Sequence, residues 1–103
     1  MDIDSHLIEA RANDGTLYFA EVEPGLTFAQ AVALIMSGNV THPVSVLSFN
    51  PVEGWCRDVT EDAARELANN SRGEVITTDA IEFIERHAGF DIANEVRLYA
   101  EVA

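Results

Sequence analysis

The side chains best suited to chemistry in this chain are one cysteine, three histidines and a large excess of carboxylates. Cys56 stands between Trp55 and Arg57, and a guanidinium beside a thiol favours the thiolate that a nucleophile needs. Adjacent residues on a strand point to opposite faces, so Arg57 is badly placed to activate Cys56, and a free cysteine is usually a small buried hydrophobe. His6, His42 and His87 fall on three different expected elements, without the i, i+4 or Cys-x-x-Cys spacing that marks a metal site. In the last turn of an expected helix, His87 faces the negative end of the helix dipole, which favours its protonated form. Two carboxylates can act as acid and base in glycoside hydrolysis, but nothing in the sequence sets a separation between any pair, and chains this short seldom build a saccharide cleft. No catalytic residue, metal ligand or cofactor is therefore expected.

Charge is more informative than any motif. Eighteen acids face six arginines and no lysine, a formal net charge of -12. Binding to a nucleic-acid backbone draws on clustered Lys and Arg, and the long-range field of this chain would repel a polyanion or an anionic membrane while attracting a basic partner. Lysine chemistry, whether as Schiff base, phosphate-loop cation or general base, is excluded. Solubility or adaptation to a saline environment would account for the same acids without any binding role.

At 103 residues and 48% apolar composition the chain is expected to form one α+β domain, residues 1–103. The acidic start Met1-Asp2-Ile3-Asp4 does not read as a secretory leader, and no apolar run approaches the ~18 residues of a membrane span. A cytoplasmic protein is expected. Its single cysteine has no internal disulfide partner.

The elements are arranged about Leu26–Val52, a stretch with no charged residue. Before it, His6 to Val22 reads as a hairpin turning at Asn13-Asp14-Gly15. Thr27 and Gln30 have the spacing of a capping box, and Gly38 suits the helix end. Between them Phe28, Ala31, Val32, Leu34, Ile35 and Met36 leave almost no polar face, which predicts a helix buried nearly all round. Val44 to Phe49 is a β-branched and aromatic strand opened by Pro43, and Trp55-Cys56-Arg57 returns from a five-residue loop as its hairpin partner. Two amphipathic helices follow. The first is capped by Asp58 or Thr60 and carries the stripe Ala63, Ala64, Leu67, Ala68; the second is capped by Thr77, Thr78 or Asp79 and carries Ala80, Ile81, Ile84, Ala88, with Phe83 at the stripe's margin, Gly89 as its stop and Phe90 as the accompanying apolar contact. Val75-Ile76 between them suggests a short strand. Alternation of Val96, Leu98, Ala100 and Val102 predicts a terminal strand that joins the sheet. The order ββαββααβ predicts a mainly antiparallel sheet with helices packed on one face.

Part of the acid is structural. Glu61 to Arg65 and Glu82 to Arg86 are i, i+4 pairs in the favourable order. Beyond that, the segment from Glu53 to Glu95 holds 11 acids against four arginines, and its two helices must turn Glu61, Asp62, Glu66, Asp79, Glu82 and Glu85 outward or to the margin of their apolar stripes. These six residues are the expected partner-binding face, with Trp55 as a candidate interface aromatic or a side chain packed over the helix.

The function this implies is that of a small acidic, non-enzymatic binding protein that blocks a basic partner, a nucleic-acid-binding protein or nuclease complex, by mimicking nucleic-acid charge. In composition it is similar to the acidic inhibitors encoded by phages and mobile elements, such as anti-CRISPR and antirestriction proteins, and to nuclease immunity proteins. The alternative is an assembly module that forms a homodimer through its terminal strand or apolar helix. A small enzyme built around Cys56 and a histidine ranks third.

Overall fold

A hairpin and a second hairpin lie side by side to make one four-stranded antiparallel sheet. Strands β1 (Ser5–Arg11), β2 (Leu17–Glu21), β3 (Pro43–Asn50) and β4 (Trp55–Asp58) are ordered β2-β1-β3-β4. The computed structural model describes residues 4–21, 25–72, 74–99 and 101–102. Helices α1 (Phe28–Met36) and α2 (Thr60–Ser71) follow β2 and β4, α3 (Thr78–Ala88) and α4 (Phe90–Tyr99) are consecutive, and two short strands, β5 (Val75–Ile76) and β6 (Glu101–Val102), pair parallel as a separate ribbon. The fold is α+β with a mainly antiparallel sheet, as the sequence pattern predicts, and the order ββαββααβ is met with β5 and α4 added to it.

Period-2 patterning decides which face of the sheet carries the helices. His6, Ile8 and Ala10 on β1 and Val46, Ser48 and Asn50 on β3 are buried, while Leu7, Glu9, Ser45, Leu47 and Phe49 between them are only half-buried. Ile8 pairs with Val46 across the strands, and the helices complete the core on that side with Ala31, Val32 and Ile35 of α1, Leu67 of α2 and Ile81, Phe83 and Ile84 of α3. Removing a buried Ile, Leu or Phe side chain from water contributes about 1.5–3 kcal/mol each. Helix α2 buries Ala63, Ala64 and Ala68 around its single leucine, and these small side chains let α1 and α3 pack closely on either side of it.

Caps place the helices. The Thr27 and Gln30 capping box forms as expected. Helix α2 begins at Thr60 with Val59 at its N-cap and no side-chain cap bond, so the cap expected of Asp58 or Thr60 does not form; Asp58, one residue before the cap position, instead accepts the Thr60 backbone N–H at 2.8 Å. Thr60 is itself buried, and its hydroxyl accepts the N–H of Val46 at 3.0 Å, tying the first turn of α2 to β3. Thr77 caps α3 by accepting the Ala80 N–H. Gly38 closes α1 at φ 81°, where a Cβ would come within 2.9 Å of the Thr77 side chain, so the end of α1 abuts the cap of α3.

Four expectations need correction. First, residues 96–99 are helical and not a strand. Ile92, Ala93 and Val96 form a helical stripe, with Ala93 and Val96 buried, whereas Leu98 is 79% exposed; packing of the stripe at i, i+1, i+4 outweighs the period-2 alternation that begins at Val96. Only Glu101–Val102 is extended, and it pairs with β5, not with the main sheet. Second, α1 is not buried all round: Ala29, Gln30 and Ala33 are exposed, because a helix lying on one face of a sheet keeps a solvent side, here filled by small uncharged residues. Third, Phe90 does not cover the end of α3. It is 65% exposed and begins α4, with Gly89 ending one helix while its carbonyl accepts the Ala93 N–H of the next. Fourth, Asn50 belongs to β3, paired with Trp55, so the second hairpin turns over residues 51–54. No helix among the described residues is long and apolar enough to cross a membrane.

Candidate functional site

Helix α3 presents a charged surface because its buried stripe, Ala80, Ile81, Phe83 and Ile84, leaves Asp79, Glu82, Glu85 and Arg86 at the margins or outside. Glu82, Glu85, Arg86 and the exposed Phe90 of α4 line one shallow concavity. On α2 the same logic exposes Glu61 and Asp62 and half-buries Glu66. No hydrogen bond or ion pair among the described residues joins the α2 acids to those of α3.

The arginines sort the acids into paired and unpaired. Arg65 bonds Glu61 at 2.8 Å, Arg97 bonds Glu85 at 2.5 Å and Arg72 bonds Glu95 at 2.5 Å. Asp79 contacts His42. Asp62, Glu66 and Glu82 make no ion pair among the described residues. The expected Glu82–Arg86 pair does not form; an exposed i, i+4 pair is worth only a few tenths of a kcal/mol and yields readily to solvation of both ends.

Arg86 instead lines a second hollow. This cleft, of about 260 Å³, lies between the end of β1, the loop before β3 and α3, and includes Arg11, Asn13, His42, Asp79, Glu82 and Arg86. His42 stands at its edge in the left-handed region, φ 50°, a conformation that costs a non-glycine residue roughly 1–2 kcal/mol. It is held there by three bonds: Arg11 N–H donates to its carbonyl at 3.0 Å, its own N–H donates to Asp79 Oδ2 at 3.3 Å, and its Nδ1 lies 3.4 Å from Asp79 Oδ1.

The other expected chemistry is dispersed. Cys56 is exposed, a correction to the buried reading that follows from its place on the edge strand β4. Its neighbour Arg57 sits over the Trp55 ring at 4.7 Å from the centroid, and Trp55 Nε1 donates to Glu53 at 2.8 Å, so Trp55 is half-buried and held by its own hairpin. His6 is buried and its Nδ1 donates to the Leu26 carbonyl at 3.0 Å, with its ring edge-on to Phe28. His87 packs against Phe83 with ring centroids 4.8 Å apart. Its pKa is lowered, chiefly by burial, which outweighs the raising effect of a bond to the Val44 backbone; the Arg86 charge lowers it further and Asp58 raises it least. The shift runs opposite to the direction expected from the helix end, because burial disfavours the charged ring. Among the described residues no three His, Cys, Asp or Glu side chains gather as a metal site.

Three participants were not legible beforehand. Phe90 reads in sequence as a helix-stop contact, Arg86 as the partner of Glu82, and His42 carries no signal, since neither glycine nor asparagine marks the left-handed position. Searches with protein-family models, curated protein sequences and solved structures find no match to this chain.

Proposed function

We propose that this chain is a small non-enzymatic binding protein whose acidic helical surface engages a basic protein partner, in the manner of an inhibitor that occupies a groove otherwise taken by nucleic acid. The observation that carries this reading is the concavity in which Glu82 and Glu85 stand beside the exposed Phe90. A carboxylate rim next to an exposed aromatic is the composition of a protein interface, where the aromatic anchors and the charges steer. The charge excess supports it, because three of the arginines are spent on Glu61, Glu85 and Glu95, leaving Asp62, Glu66 and Glu82 to project an unbalanced field. The sharper form, mimicry of a nucleic-acid backbone by a phage or mobile-element protein, rests on charge alone.

The test is displacement of labelled duplex DNA from basic nucleases and DNA-binding effectors. Displacement is expected to weaken steeply between about 50 and 300 mM salt as screening shortens the reach of the field, and Glu82→Lys to weaken it roughly tenfold, ~1.4 kcal/mol. Displacement indifferent to salt and to Glu82→Lys would refute the reading.

A second reading, self-assembly, is favoured by one observation. Strand β2 is a sheet edge on which Leu17, Tyr18 and Phe19 are each 44–49% exposed, and unpaired apolar edges invite strand addition. This edge replaces the terminal strand as the route to a homodimer. Salt separates the two readings, since association of two chains of charge -12 strengthens when repulsion is screened.

A further inference from the structure

Among the described residues, Arg11 and Arg86 differ from the other four arginines in having neither a carboxylate partner nor an aromatic ring beneath them. Arg65, Arg72 and Arg97 are bound to glutamates and Arg57 covers Trp55, while the Arg11 side chain makes, among the described residues, one long bond of 3.4 Å to the Gly15 carbonyl. In a chain where acids outnumber arginines three to one, two guanidiniums left without carboxylates are unusual, and both line the same cleft. That cleft also holds Glu82, unpaired, and Asp79, whose oxygens are engaged by His42.

We infer that the cleft between Arg11, His42, Glu82 and Arg86 is a binding site for a small zwitterion, a molecule with a carboxylate at one end and an ammonium at the other, of the amino-acid class. The guanidiniums are the groups that grip a carboxylate, by parallel N–H bonds, and Glu82 is the group left to accept an ammonium. Charge decides against a simple anion. The lining carries two guanidiniums against two carboxylates, and the whole chain at -12 repels a free anion, whereas a zwitterion enters without net cost from that field. Size agrees: about 260 Å³ lies below the ~300–1,000 Å³ of clefts that take drug-sized ligands. The strained His42 fits the same role. It lines the cleft, and backbone strain of this kind persists where surrounding bonds over-determine it. The inference is independent of the partner-binding proposal, although Glu82 and Arg86 border both hollows.

The experiment is an amide NMR titration of the intact chain with 4-aminobutyrate and with L-amino acids, against butyrate, which lacks the ammonium, and butylamine, which lacks the carboxylate. Zwitterions are expected to shift signals of Arg11, Asn13, His42 and Asp79–Arg86, at concentrations at least tenfold below those at which butyrate or butylamine does so. Arg11→Gln, remote from Phe90, is expected to weaken the response at least tenfold with unchanged thermal stability, and Arg86→Gln provides a second variant if Arg11→Gln unfolds. Equal response to butyrate would make the cleft a plain anion site, equal response to butylamine a plain acidic surface, and no localised shift with any probe a solvated hollow; each overturns the inference. Loss of partner binding in Phe90→Ser with zwitterion binding intact would show that the two sites are separate.

Discussion

Asp79 holds His42 with both carboxylate oxygens, one accepting the backbone N–H at 3.3 Å and the other 3.4 Å from the ring Nδ1. The first residues of α3 thereby fix the loop that leads into β3. Asp79 also lies in the first turn of α3, where the helix dipole favours its charge, so one carboxylate serves the helix and the loop together.

The φ of 50° at His42 separates backbone strain from the side-chain contact. His42→Ala and His42→Gly both remove the imidazole, but only alanine keeps a Cβ in the left-handed region. The glycine variant is expected to be more stable than the alanine variant by about 1 kcal/mol, measured by denaturant unfolding. Equal stabilities would show that the loop relaxes out of this conformation.

Thr60 links α2 to β3 through the buried N–H of Val46. Thr60→Val keeps the shape and leaves that N–H unpaired, so a loss of about 1–3 kcal/mol is expected. Serine at the same position, which retains the hydroxyl, is expected to recover most of it. A valine variant as stable as the parent would deny the bond its role.

Asp58 is held below its ordinary pKa of 3.8 by the Thr60 hydroxyl and then by the Thr60 backbone N–H. A depressed carboxylate stabilises the fold above the unfolded value, and the contribution is lost as pH falls through the lower folded value. Unfolding midpoints between pH 5 and 2 are expected to fall less steeply in Asp58→Asn than in the parent chain.

His87 acts in a different window. Burial lowers its pKa from the ordinary 6.5, so the unfolded chain takes up a proton first as pH falls. Stability is complete above the unfolded value and declines as pH drops from 6.5 through the folded one. Between pH 7.5 and 5.5 the melting temperature is expected to drop in the parent and to drop less in His87→Phe, which keeps the contact with Phe83. A drop of the same size in both would assign the decline to other groups.

For the surface, Phe90→Ser is expected to leave stability within about 0.5 kcal/mol, since the ring is 65% exposed, while weakening displacement of DNA from a basic partner at least tenfold. Unchanged displacement would remove Phe90 from the interface and leave the charges alone to carry it.

Local rules made much of this fold legible. The Thr27–Gln30 capping box, the strand opened by Pro43 and the alanine-rich stripe of α2 are each set by neighbours within a few residues, and each is found as expected. The outward placement of Glu61, Asp62 and Glu82 is likewise determined by helical period, because burying the stripe leaves them no other direction. Contacts between distant segments were not determined in this way. The alternating run from Val96 reads as a strand until α3 supplies a surface for Ala93 and Val96 to pack on. Arg86 and Arg11, 75 positions apart, meet in one cleft only because β1 pairs with β3 and α3 packs against β3. His42 adopts its left-handed backbone because Asp79, from another element, holds it there. Periodicity fixes which way a side chain points, and only the packed chain fixes what it meets.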